Sequence, residues 1–168
     1  MGLSSLSLEG LRALVTGAGT GLGLQFAAGL AEAGADLVIC GRRRAPLESA
    51  ADTLRALGAD VQVIQADVTR EPDLARLQAE AGRVDILVNN AGGGEIKPWR
   101  AVSRGDWDRL MDVNLWATFR LIERYFLKMR VPPLDWIELG DMGAIKELVK
   151  EGRRIKSSNP PNWTGITV

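Results

Sequence analysis

The stretch Leu14–Gly23, LVTGAGTGLG, decides the fold of this chain. It begins inside a short apolar run, Arg12–Thr16, which stops at Gly17. Behind the glycines, apolar residues recur at the spacing of a helix; they are Leu22, Phe26, Ala27 and Leu30. The stretch therefore predicts a strand, a tight turn and a helix, in that order.

The same alternation continues along the chain. Further strands are predicted at Asp36–Cys40, Val61–Ala66, Val84–Val88 and Leu134–Leu139, with a weak sixth strand near Ile155. Helical patterns fill the intervals, including a long helix that Ser103 caps. Strands that alternate with helices imply parallel pairing with right-handed crossovers. We expect one domain over residues 1–168, an α/β fold with a Rossmann-like doubly wound parallel sheet in the order 3-2-1-4-5-6 and three α/β/α layers.

Composition excludes several classes of function. Lys plus Arg and Asp plus Glu both number 21, so the net charge is zero and nothing draws the whole chain to nucleic acid or to a charged membrane. The chain has no histidine and one cysteine, Cys40, which argues against a metal site and a disulfide. The sequence predicts no leader and no membrane-spanning run. We expect a soluble, cytoplasmic protein with a small-molecule partner and no metal; the oligomeric state stays open.

The glycines of the turn allow two interpretations. Missing side chains let the backbone approach a pyrophosphate, whose charge the N-terminus of the following helix favours. The same glycines also suit a turn that is needed only for tight packing of a helix on a strand. A glycine pattern alone does not separate the two.

Three motifs together resemble the cofactor-binding half of the short-chain dehydrogenase/reductase family. They are Thr16–Gly23, then Asp67 with Val68 after the third strand, then Asn89–Gly92 after the fourth. The resemblance covers about residues 6–119 and includes Asn114. It implies that NADP or NAD binds with its phosphates over the glycine turn, its adenine at Asp67 and its ribose near Asn89. The predicted cofactor-binding residues are Gly17, Gly19, Thr20, Gly21, Leu22, Gly23, Arg42, Asp67, Val68, Asn89, Ala91 and Gly92.

The residues after the second strand bear on the choice of cofactor. An acidic residue there would accept a hydrogen bond from the ribose 2′-hydroxyl of NAD, but the chain has Gly41 followed by three arginines. Arginine forks suit a 2′-phosphate, so NADP is slightly preferred. Against this, Thr20 stands where NADP-dependent relatives often place a basic residue. Arg43 and Arg44 are also explained as solvated residues at the start of a helix.

The catalytic residues implied by the resemblance are missing from their expected place. The family uses a tyrosine as general acid/base, a lysine four residues later that lowers the tyrosine pKa, and a serine. The single tyrosine, Tyr125, is followed by Lys128 three residues later and lies before the fifth strand. We interpret Tyr125 as a packing or surface residue and predict no catalytic residue.

The last part of the chain has a different resemblance. Residues 122–163, especially Ile137–Gly152, resemble the effector-binding domain of LysR-type transcription regulators, a periplasmic-binding-protein-like α/β fold. Two likenesses that meet within residues 120–124 predict an engineered chimera. It would join a dinucleotide-binding fragment (1–120) to a completing fragment (121–168).

Three hypotheses follow for function. The first is a scaffold that is not an enzyme and retains weak affinity for NADP(H) or NAD(H). The second is a truncated short-chain dehydrogenase/reductase that still catalyses NAD(P)-dependent oxidoreduction. The third is a structural protein in which the glycine turn binds nothing.

Overall fold

The computed structural model describes residues 7–94 and 97–125. Four strands alternate with helices there. The strands are β1 (Arg12–Thr16), β2 (Asp36–Gly41), β3 (Val61–Gln65) and β4 (Ile86–Val88). The helices are α1 (Gly21–Glu32), α2 (Arg44–Ala56), α3 (Glu71–Ala81), α4 (Arg104–Met111) and α5 (Ala117–Tyr125). A π-helical turn, Asp112–Trp116, joins α4 to α5, and a 3-10 turn spans Trp99–Ala101.

The four strands form one parallel sheet in the order β3-β2-β1-β4. This confirms the predicted Rossmann-like α/β fold and its order 3-2-1-4. Thr16 pairs with Cys40, and Cys40 pairs with Ile64, so the carboxyl ends of β1, β2 and β3 lie side by side. The predicted fifth and sixth strands, and residues 126–163 of the regulator-like segment, lie outside the described residues. The single domain over 1–168 stays a prediction.

Helices cover the sheet on both faces. On one face, Ala13, Val15, Leu37 and Ile39 pack in a cluster with residues of α1 and α2. On the other face, Leu14, Val38, Cys40 and Ile64 pack with residues of α3 and α5. Strand residues that are buried on both faces are typical of parallel sheets, and they explain why β1 and β2 read as continuous apolar runs.

The buried side of α1 consists of small residues. Gly23, Ala27 and Ala31 face the core, whereas 70% of Leu22 is exposed. Small side chains at a spacing of four residues let the helix axis approach the sheet closely. Of the residues that predicted this helix, Ala27 is buried and Leu30 packs at the edge of the core, whereas Leu22 is exposed.

The helix that follows Ser103 shows the same difference more strongly. Its buried residues are Ala117, Leu121 and Tyr125. Five of the large apolar residues that predicted the helix are exposed by 40% or more; they are Trp107, Leu110, Leu115, Phe119 and Ile122. Periodicity identified the apolar side of this helix but not the side that the sheet covers. No helix in the described part of the chain combines the length and the apolarity that crossing a membrane requires.

Ion pairs fasten α5 to α3. Glu71 at the start of α3 pairs with Arg120, at 2.9 Å, and also with Arg124. Gln78 adds a hydrogen bond from its Nε2 to the carbonyl oxygen of Arg124, at 2.9 Å. The predicted chimera junction at 120–124 thus lies in a helix that is packed and ion-paired against the preceding part of the fold.

Candidate functional site

A cleft of about 310 Å³ opens at the carboxyl ends of the strands. In open parallel sheets this edge is where ligands bind. Of the predicted site residues, all except Gly21 and Asn89 line the cleft. The lining residues that the prediction missed are Gly41, Arg43, Pro46, Leu47, Ala66, Asn90 and Val113.

The glycine turn forms the floor of the cleft, and two of its glycines have a clear steric reason. A Cβ on Gly17 would lie 3.0 Å from the Cα of Ala91, and the residue has a left-handed φ of +67°. A Cβ on Gly23 would collide with the carbonyl oxygen of Gly17 and lie 2.5 Å from Asn90 Nδ2. These two glycines therefore let the turn, the start of α1 and the residues after β4 meet without side chains between them.

Thr16 and Asn90 hold this meeting point together. The buried Thr16 hydroxyl donates to the carbonyl oxygen of Val88 at 3.2 Å. It accepts from the backbone N–H groups of Asn90 and Ala91, at 3.0 and 2.9 Å. Asn90 Nδ2 in turn donates to the carbonyl oxygen of Thr16 at 2.9 Å. The loops after β1 and β4 thus form one hydrogen-bonded unit.

Asn90, not the predicted Asn89, lines the cleft. The Oδ1 atom of Asn89 is buried and has no hydrogen-bond partner among the described residues. The sequence signals a pair of amides here but does not tell which of the two turns inward.

Two arginines line the opposite end of the cleft. The connection from β2 to α2 consists of Arg42 and Arg43 alone. Both residues line the cleft, whereas Arg44 does not and pairs with Glu48 at 2.7 Å. Arg43 and Arg44 are both exposed at the start of α2, as the alternative of solvated residues expects, and Arg43 in addition lines the cleft.

Asp67 lies beside these arginines and is held by its neighbours. Its Oδ1 accepts from the N–H and the hydroxyl of Thr69, at 3.0 and 2.7 Å. Its backbone N–H donates to Asp73 Oδ2 at 2.8 Å, and this bond holds the pKa of the Asp73 carboxyl below its usual value. The backbone at Asp67 is thus fixed by the first turn of α3.

The N-termini of α1 and α2 leave their backbone donors open. Thr20 and Arg43, the residues that precede these helices, make no side-chain cap within the described residues, and neither first turn contains an acidic residue. Because the first N–H groups of a helix have no partner inside it, they remain available to an anion. Two open helix ends beside Arg42 and Arg43 suit the phosphates of a dinucleotide.

Asn114 forms hydrogen bonds with the loop after β4. Its Nδ2 donates to the carbonyl oxygen of Gly93 at 2.8 Å, and its Oδ1 accepts from the Gly93 N–H at 3.3 Å. A Cβ on Gly92 would lie 2.7 Å from the Asn114 Oδ1. Asn114 therefore fixes the position of two residues that follow the Asn89-Asn90 pair.

Tyr125 takes no part in the cleft. As the last residue of α5, it is 2% exposed and packs in the core between this helix and the sheet. Its hydroxyl has no hydrogen-bond partner among the described residues. Burial raises the pKa of the Tyr125 phenol to about 12. Its interpretation as a packing residue is confirmed by this burial.

A parallel sheet with a glycine turn, two open helix ends and a cleft at its carboxyl edge defines a dinucleotide-binding protein of the Rossmann type. A family model described as short chain dehydrogenase matches residues 12–132. The chain belongs to the short-chain dehydrogenase family. This family binds NAD(P).

Named relatives agree with this membership. Gluconate 5-dehydrogenase of Gluconobacter oxydans is 43% identical over 117 residues, which are 67% of this chain and 46% of that protein. The structure of hydroxysteroid dehydrogenase from Escherichia coli has a TM-score of 0.70 at 33% identity, over 76% of this chain and 56% of that one. The Pseudomonas aeruginosa RhlG/NADP active-site complex has a TM-score of 0.68 at 37% identity, over 73% and 49%. The chain spans about half the length of the curated relatives it matches.

These findings correct the prediction about function. The prediction of a scaffold that is not an enzyme is wrong, because the relatives are named as dehydrogenases. They favour the alternative of an oxidoreductase. The prediction rested on the missing serine, tyrosine and lysine after the fifth strand, a place that lies outside the described residues and beyond the family match.

The predicted chimera is not supported either. The family match runs through residues 120–124, where the junction was expected, and continues to residue 132. The resemblance of residues 122–163 to LysR-type regulators finds no support in the comparisons.

Proposed function

We propose that this chain forms the dinucleotide-binding part of an NAD(P)-dependent oxidoreductase. One observation carries the proposal: the N-termini of α1 and α2 are uncapped, free of acidic residues, and open into a cleft lined by Arg42 and Arg43. The bound nicotinamide would supply the hydride chemistry. The relatives named gluconate 5-dehydrogenase and hydroxysteroid dehydrogenase support a substrate with a hydroxyl group, or the corresponding carbonyl compound.

Each part of the cleft has a role in this proposal. The backbone N–H groups at Thr20–Gly23 hold the pyrophosphate, and Gly17 and Gly23 let the turn and the start of α1 pack closely enough to present them. Asp67 and Val68 border the adenine, and residues 90–92 border the ribose on the nicotinamide side. Thr16 and Asn114 contact the loops rather than the ligand and fix their positions.

We further propose that NADP(H) binds more tightly than NAD(H). No acidic side chain follows β2, where a carboxylate would bind the 2′-hydroxyl of NAD. Arg42 and Arg43 both line the cleft, and neither forms an ion pair with a carboxylate of the described residues. A planar guanidinium gives a 2′-phosphate two charge-assisted hydrogen bonds.

Calorimetric titration of the 168-residue chain with NADPH and NADH tests this proposal. We expect NADPH to bind more tightly, and Arg42→Ala with Arg43→Ala to lower NADPH affinity about tenfold or more, because bonds to charged groups contribute about 1.5–3 kcal/mol each. NADH affinity should change little. Arg44→Ala is the matched control, since its side chain pairs with Glu48.

Two results would contradict the proposal. If neither dinucleotide binds at millimolar concentration, the cleft is not a dinucleotide site. If the two arginine substitutions lower NADH and NADPH affinity equally, the arginines do not recognise the 2′-phosphate, and the preference for NADP is wrong.

A further inference from the structure

The two-residue connection that carries Arg42 and Arg43 is tied to the neighbouring strand. The backbone ladder between β2 and β3 ends at the register pair Gly41 and Gln65. One more backbone bond runs from the Ala66 N–H to the Gly41 carbonyl oxygen, at 2.9 Å. Beyond Gly41, the β2 chain has no further backbone partner from β3 among the described residues.

The side chain of Gln65 extends this ladder by one residue. Its Nε2 donates to the carbonyl oxygen of Arg42 at 2.9 Å, so a side-chain amide does what a backbone N–H does within the sheet. Gln65 does not line the cleft, and therefore it acts on the peptide of Arg42 rather than on a ligand.

Gln65 is itself held from the other side. Arg76 of α3 donates from Nη2 to the Gln65 carbonyl oxygen at 2.6 Å. The Arg76 guanidinium also pairs with Asp73 and Glu80, each at 3.5 Å. Arg76 of α3 thus contacts Gln65 at the end of β3, and Gln65 contacts Arg42, which lines the cleft.

We propose that Gln65 is a positioning residue for recognition of the NADP 2′-phosphate, because it fixes the Arg42 peptide and with it the direction of the two arginine side chains. This proposal rests on the proposed function. NAD has no 2′-phosphate, so the orientation of the arginines affects its binding little. Gln65 therefore contributes to selectivity between the two cofactors and not to dinucleotide binding in general.

Gln65→Met tests the proposal, because methionine keeps the length of the side chain and removes the donor. A single hydrogen bond contributes about 0.5–1.5 kcal/mol, so the ratio of NADPH to NADH affinity should fall about two- to tenfold. Gln62→Met is the matched control. Gln62 lies on the same strand, its Nε2 also donates to a backbone carbonyl oxygen, that of Glu80 at 3.0 Å, and it does not line the cleft.

A double-mutant cycle separates positioning from a merely structural effect. In the background of Arg42→Ala with Arg43→Ala, Gln65→Met should leave NADPH affinity unchanged, because no arginine remains to be positioned. Three results would overturn the proposal: an unchanged affinity ratio in Gln65→Met, an equal loss in Gln62→Met, or the same loss without the arginines. If the wild-type chain binds neither cofactor, the proposed function fails as well, so the two failures are distinguishable.

Discussion

Helices α1 and α4 are the helices that follow β1 and β4 along the chain, but their first turns differ. At α4, Ser103 accepts from the Asp106 N–H, the Asp106 carboxylate accepts from the Ser103 N–H, and Lys97 pairs with Asp106 at 2.8 Å. At α1, Thr20 makes no such bond within the described residues. The protein's own side chains thus occupy backbone N–H groups at the N-terminus of α4, whereas the backbone N–H groups at the N-terminus of α1 receive no side-chain cap.

This difference separates a structural helix end from a binding helix end. A capping box contributes to stability and occupies the donors that an anion would use. An uncapped N-terminus gives up that stability and leaves positive potential at the cleft. The uncapped N–H groups of α1 are therefore those that an anionic ligand would cap.

The largest expected effect comes from adding a side chain where the first turn of α1 packs against the glycine turn. Gly23→Ala would place a Cβ against the Gly17 carbonyl oxygen and Asn90 Nδ2. We expect a loss of about 3 kcal/mol or more in the free energy of unfolding, and loss of NADPH binding. Gly29→Ala in the same helix has nothing within 4 Å and should stabilise the chain by about 0.5–1 kcal/mol. Urea unfolding of both variants measures the contrast; equal stability would show that the turn tolerates a side chain.

A smaller effect is expected when a carboxylate is placed at the N-terminus of α1, where α4 has Asp106 in its first turn. Thr20→Asp adds a good capping residue, so the free energy of unfolding should stay equal or rise by about 0.5 kcal/mol. NADPH affinity should fall about tenfold, because a carboxylate at this position repels the pyrophosphate and takes its donors. Thr20→Asn, which caps without charge, separates the two causes. Unchanged affinity in Thr20→Asp would argue against phosphate binding at this helix end.

The smallest effect is expected at α4. Ser103→Ala removes the capping box and should cost about 1 kcal/mol of stability while leaving NADPH affinity unchanged. Lys97 and then Ser103 hold the pKa of the Asp106 carboxyl well below its usual range. A carboxyl with a lowered pKa stabilises the fold above its unfolded pKa of about 3.9, and that stability is lost as the pH falls further. The stability difference between wild type and Ser103→Ala should therefore shrink below pH 4; a constant difference would contradict this.

Much of the fold could be predicted from the sequence because its signals are local. The apolar runs at β1 and β2, the cap at Ser103 and the alternation of strands with helices all follow from residues that are close along the chain. The burial of α1 and α5 could not be predicted in the same way. Periodicity shows where large apolar residues cluster, whereas the buried sides of these helices also include Gly23, Ala31 and Leu121, which the pattern did not single out.

The residues of the site also separate into those that local sequence motifs identified and those that depend on the fold. The glycine turn and Asp67 belong to motifs, and the sequence identified them as part of one cleft. Asn90, Arg43 and Gln65 were missed, because their positions depend on contacts between loops and strands that are distant along the chain. The expected absence of catalysis failed for a different reason: it was inferred from residues that lie beyond the part of the family that this chain matches.

Amide chemical shifts during titration with NADPH test the central claim most directly, because every helix start is observed in one experiment. We predict that the amides of Gly21–Gly23 at α1 and of Arg42 and Arg43 shift and saturate together, while those of Gly105–Trp107 at α4 do not move. Saturable shifts at α4 with none at α1 would contradict the account.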